Sequence, residues 1–82
     1  MQFMVEIRLM AGSKNKAVEA FEQRGPNRNP GVRFAAAWVG SRADVAFVLV
    51  DADDESRVAK AAESWTHFGE AKIHAVVDVQ QY

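Results

Sequence analysis

Glu6, Arg8 and His74 are the residues of this chain best suited to move a proton. A carboxylate that orients an imidazole makes a proton-transfer pair, because histidine titrates near neutral pH. The pairing depends on register. If the two strands carrying these residues run antiparallel with residue numbers summing to about 80 or 82, His74 stands opposite Glu6 or Arg8. The same three side chains would serve equally as a polar ladder across an interface or at its rim. Phe34 and Trp38 are four apart in a strand-like stretch, which places both on one face, and with Tyr82 they would line an aromatic pocket for a planar ligand or pack as ordinary core. Arg24, Arg28 and Arg33 bracket a proline-glycine loop without an intervening acid. Their planar donor forks suit a carboxylate or phosphate, and a solvated basic loop is the other reading.

Other chemistry is not signalled. There is no phosphate-cradling glycine motif, zinc-ligand spacing or serine elbow. Two histidines and no cysteine make no case for a metal site, and no cofactor is expected. With 82 residues the chain is expected to form one domain spanning 1–82, and 49% apolar with 26% charged residues fits an ordinary globular composition. A net charge of −1 and a pI near 6.1 argue against a nucleic-acid binder. Nothing approaches the roughly 20 apolar residues of a membrane span, and a soluble cytoplasmic protein is expected. A domain this small buries only about 60% of its unfolded surface. Without disulfides, self-association is the expected supplement.

The elements that must position these residues follow from periodicity. Gln2 to Leu9 alternates, with Phe3, Val5, Ile7 and Leu9 opposite Met4, Glu6 and Arg8, which is the pattern of a strand. Ala11-Gly12 breaks it, and Ser13 is placed to cap a helix from about Lys14 to Arg24 with Ala17, Val18 and Phe21 as its apolar stripe. Gly25 to Gly31 reads as a loop. Val32 to Val39 reads as a second strand, with Phe34, Ala36 and Trp38 on one side. After a turn at Gly40 to Asp44, Val45 to Val50 is a run of six apolar residues, which needs cover on both faces. The acidic stretch Asp51 to Glu55 suits a helix start, with Asp53 the expected cap. Val58, Ala61, Ala62 and Trp65 then follow at i, i+3, i+4 and i+7, a helical stripe. His67 lies where it would cap the helix end. Lys72 to Val79 alternates again as a fourth strand.

Strand, helix, strand, strand, helix, strand is a split βαβ unit repeated once. The expected strand order puts the first and third strands at the centre, the fourth beside the first and the second beside the third. Two helices then cover one sheet face, and the other carries a mixture of apolar and polar side chains. An uncovered apolar patch marks an interface or ligand groove, so a homodimer through the sheet face is expected.

The opening Met1-Gln2-Phe3-Met4-Val5, the Gly31-Val32 entry to a strand ending near Trp38, the Asp53-Asp54 helix start, Trp65 and the closing Val76-Val77-Asp78 resemble the dimeric α+β barrels built on the ferredoxin-like fold. Within them the chain is similar to a group of small, functionally uncharacterised bacterial domains. The resemblance implies a ferredoxin-like βαββαβ α+β fold, with a four-stranded antiparallel sheet and two helices on one face. Its wider superfamily includes cofactor-free monooxygenases, muconolactone isomerases and haem-degrading enzymes. The haem-degrading members use an asparagine, a tryptophan and a histidine together. Here Glu6 stands where the amide would be, and the second helix has no histidine in its middle, so haem chemistry is not implied.

Three functional expectations result. The first is a homodimeric domain binding a hydrophobic small molecule, with Arg8, Arg33, Phe34, Trp38 and Tyr82 as candidate ligand contacts. The second is a cofactor-independent monooxygenase or isomerase acting on a hydrophobic or aromatic molecule, with Glu6 and His74 catalytic. The third is a structural or regulatory dimerisation module, which would have a filled core and no ligand-sized cavity.

Overall fold

The structure, a computed structural model, describes residues 1–23 and 31–82. Its elements run β1 (Gln2–Leu9), α1 (Lys14–Gln23), β2 (Val32–Val39), β3 (Val45–Ala52), α2 (Glu55–Ala62), a 3₁₀ turn at Glu63–Trp65, β4 (Gly69–Val76) and a 3₁₀ turn at Val79–Gln81. The sheet order is β2-β3-β1-β4, antiparallel at every pair. This is the ferredoxin-like βαββαβ architecture, with two helices against a four-stranded antiparallel sheet. Arg24, Arg28 and most of the proline-glycine loop lie outside the described residues.

The barrel implied by the sequence resemblance is not formed. The sheet is open, with β2 and β4 as its two edges. Four strands do not supply the tilt and stagger needed to close a sheet on itself.

Alternation decides the faces of the central strands. Phe3, Val5, Ile7 and Leu9 of β1 and Ala46, Val48, Val50 and Ala52 of β3 are buried together beneath the helices, joined by Val58, Ala61, Ala62, Trp65 and Phe68. The apolar run therefore splits, with Val48 fully buried on the helix side and Phe47 on the opposite face. The strand also continues two residues past the run, so Asp51 lies within β3 and does not begin a helix. Its carboxylate takes the Met1 α-amino group at 3.0 Å and the Arg33 guanidinium at 3.1 Å.

Helix entry and exit differ from the sequence expectation in detail. Gly12 turns the chain out of β1 with φ +81°, a conformation costly for residues with a Cβ, and the Ser13 carbonyl accepts from the Ala17 amide as α1 begins. Asp54, not Asp53, caps α2. Its carboxylate accepts from the Arg57 amide at 3.0 Å and from the Ser56 hydroxyl, because the helix starts at Glu55. At the far end the Thr66 hydroxyl bonds the Glu63 carbonyl at 2.9 Å, and the His67 ring rests on Phe68 instead of capping. β4 begins earlier than its alternation suggests. Gly69 pairs with Leu9, where a Cβ would overlap the Arg8 carbonyl oxygen, so the close approach of the two strands requires glycine.

Candidate functional site

Along β2 the alternation slips by one. The strand carries an extra residue at Ala35, between Phe34 opposite Val50 and Ala36 opposite Leu49. Such a bulge reverses the facing of everything beyond it. Phe34 therefore points to the helix side, where its ring lies 5.6 Å from that of Trp65. Trp38 stands opposite Phe47 on the other face, about half exposed. Tyr82 is fully exposed at the chain end. The three aromatics grouped from sequence are thus not brought together, and the cause is one inserted residue that no glycine or proline announces.

Two places remain where chemistry can be read. The first is the open sheet face, which the pairing arranges in cross-strand ranks. Ala36, Leu49, Met4 and His74 form one rank, and Trp38, Phe47, Glu6 and Lys72 the next. Its β2–β3 half is apolar, and its β1–β4 half carries Glu6, Arg8, Glu70, Lys72 and His74. Numbers of paired β1 and β4 residues sum to 78, from Gln2 with Val76. His74 is therefore opposite Met4, neither Glu6 nor Arg8 as expected, and Glu6 is opposite Lys72. The even sum still keeps them on one face, and His74 Nε2 reaches Glu6 Oε1 diagonally at 3.2 Å. Both side chains are accessible, at 50% and 27%. Arg33 on the same face is engaged by Asp51. Hydrogen bonding from the Met1 α-amino group, and next from Arg33, holds the Asp51 carboxyl below the usual range. Arg8 lies on this face opposite Val45 and Glu70.

The second place is on the helix side, where α1 crosses β2. Ala37 and the bulged Ala35 give the strand little volume beneath the helix, while the Ala36 side chain faces the open side. Ala17 is the buried residue of α1. The shortfall leaves a groove of about 190 Å³ lined by Phe21, Phe34, Val48, Trp65 and the Ala35–Ala37 stretch. A neighbouring depression of about 210 Å³ shares Phe21 and Ala37 with it. Phe21 meets Trp65 edge to face, with centroids 5.8 Å apart and planes at 90°. Trp65 itself is fully buried, and its indole Nε1 has no hydrogen-bond partner among the described residues. A buried donor left unpaired costs about 1–3 kcal/mol, so the position asks for an acceptor. From sequence Trp65 reads only as core. The available hint was the run of three alanines in a strand otherwise made of larger residues.

Among the described residues no group of three His, Cys, Asp or Glu side chains is placed to hold a metal ion, and no helix is long and apolar enough to cross a membrane.

Fold and site together define a ferredoxin-like α+β domain with one uncovered sheet face and an aromatic groove under its first helix. Over residues 1–82 the chain matches the family described as a domain of unknown function (DUF3303), and it belongs to that family. No curated protein and no solved structure matches it. The family description assigns no reaction.

Proposed function

We propose that residues 1–82 form a single domain that works as a homodimer and binds a hydrophobic small molecule, a second copy covering the open sheet face. The observation that carries the reading is that face itself. Ala36, Trp38, Val45, Phe47, Leu49 and Met4 make a contiguous apolar half, and an exposed patch of this kind on a small domain marks an interaction surface. The occupant we favour is a second copy because the face is electrically self-matched. Glu6, Asp51 and Glu70 are balanced by Arg8, Arg33 and Lys72, so two such faces meet without net repulsion. The helix-side groove supplies the room for a ligand.

Light scattering on a sizing column tests the association. The expected mass is twice the 9.1 kDa of the chain. Phe47→Glu, which places a charge on the open face, should yield a folded monomer. A wild-type monomer at micromolar concentration overturns the dimer.

A second reading has its own observation. The 3.2 Å contact between His74 and Glu6 is within reach of proton transfer, which favours a cofactor-independent oxygenase or isomerase. On that reading His74→Ala lowers turnover of an aromatic substrate by about 100-fold or more. Unchanged turnover removes His74 from the chemistry.

A further inference from the structure

Resting on the dimer reading above, we propose that the two copies are related by a two-fold axis running across the strands, so that Glu6 meets the partner's Arg8 and Lys72 meets the partner's Glu70. The observation that carries it is a checkerboard of charge on the open face. Glu6 is directly opposite Lys72, and in the next rank Arg8 is directly opposite Glu70. Signs therefore alternate along each strand as well as across the pair. Among the described residues, none of Arg8, Glu70 and Lys72 forms an ion pair within the chain. All three are exposed, so their charges are open to a partner. Glu6 holds His74 through Oε1, and a carboxylate has lone pairs to spare for a guanidinium.

Sheets that pack face to face in the aligned manner keep their strands within about 30° of each other. A two-fold axis in the seam then lies along the strands or across them. Along the strands at the middle of the sheet, it exchanges β1 with β3 and β4 with β2. That sets Glu6 and Lys72 against the apolar half, where a charge loses hydration without gaining a counter-charge. Along the strands within either half, it covers that half alone. Across the strands, every strand meets its own copy, so the apolar half covers the apolar half and the charged half covers the charged half. The checkerboard then fixes where the axis crosses. Through the Glu6 rank it would bring Glu6 onto Glu6 and Lys72 onto Lys72, which repel. Between the Glu6 and Met4 ranks, no acid would face a base. Between the Glu6 and Arg8 ranks, each charge meets its opposite, and symmetry makes every such contact occur twice. Phe47 then meets the partner's Val45. Trp38 meets the partner's Gly40, which pairs with Val45 and carries no side chain. Met4 meets the partner's Met10, which continues the even-numbered positions past β1 and is 54% exposed.

The test is reciprocal charge exchange in the full chain, read by sedimentation equilibrium. Glu6→Arg alone makes both symmetric β1 contacts base on base, and Arg8→Glu alone makes both acid on acid. Each should weaken self-association by about 100-fold or more. Mixed in equal amounts, the two variants restore opposite signs at every β1 contact, and the mixed dimer should form within about tenfold of the wild-type dissociation constant. Where a β1 variant loses its circular dichroism, Glu70→Lys and Lys72→Glu make the same exchange at exposed positions of the edge strand β4. Folded single variants that associate as wild type does overturn the axis, and so do folded variants that fail to associate when mixed. In either case a wild-type dimer broken by Phe47→Glu leaves the sheet-face dimer standing. A wild-type monomer at micromolar concentration overturns the dimer and the axis together.

Discussion

α2 and α1 lie on the same face of the same sheet but are held by different means. α2 is capped by Asp54, has Glu55 in its first turn and Lys60 in its last, and buries Val58, Ala61 and Ala62 before passing into the turn that carries Trp65. Each of these features agrees with the helix dipole or with the core. α1 starts with Lys14 and Lys16, has no acid in its first turn and no base in its last, and buries Ala17. It rests on the alanines of β2. One half of the domain is a frame, while the other is a cover that leaves space beneath it. Ligand sites are commonly drawn from the less stable parts of a structure, and the groove falls on that side.

The contrast predicts unequal costs. Trp65→Ala should destabilise the domain by about 3–5 kcal/mol, enough to unfold much of a protein of marginal stability. Phe21→Ala, removing the half-buried ring of α1 that meets Trp65, should cost about 1–2 kcal/mol. Urea midpoints measure both, and equal losses would erase the distinction between frame and cover.

A smaller effect concerns acid. Hydrogen bonds from the Ser56 hydroxyl and then the Arg57 amide hold the Asp54 carboxyl below its ordinary range. A carboxyl whose folded value is depressed contributes stability above its unfolded pKa and loses it as pH falls through the folded value. The thermal midpoint should therefore drop below about pH 4. Asp54→Asn keeps the cap but cannot titrate, so its midpoint should fall less between pH 5 and pH 2. Parallel curves would mean that the cap is not the acid-sensitive element. Smallest of all, Lys16→Glu should stabilise the domain by about 0.3–1 kcal/mol by placing a negative charge near the α1 N-terminus. A neutral or negative result would show that α1 is already held by something other than its own turn chemistry.

The distance between sequence and structure varies by element for the same physical reasons. β1, β3 and the α2 stripe are legible because their apolar positions are numerous and their period is unbroken. The strand order follows from chain connectivity. β2 is not legible beyond Phe34, since alanine carries little facing information and one inserted residue reverses Trp38. Glu6 and His74 are placed on one face by parity alone. Their register is not fixed in advance, because no short turn joins β1 to β4 and slips by two preserve facing. The cap shifts from Asp53 to Asp54 because either acid satisfies the local pattern, and only the observed helix start separates them. The groove is least legible, since it arises from volume missing between two elements, which neither stretch of sequence reveals alone.

The extra residue at Ala35 has one more consequence. β2 is an edge of the sheet, and a flat edge strand offers unpaired backbone groups to any passing chain. A bulge increases local twist and breaks the even spacing of those groups, so β2 is a poor template for an added strand. At the opposite edge, β4 alternates Glu70, Lys72 and His74 along one side, and charged side chains likewise discourage strand addition. Growth of the sheet into filaments by strand addition is therefore opposed at both ends.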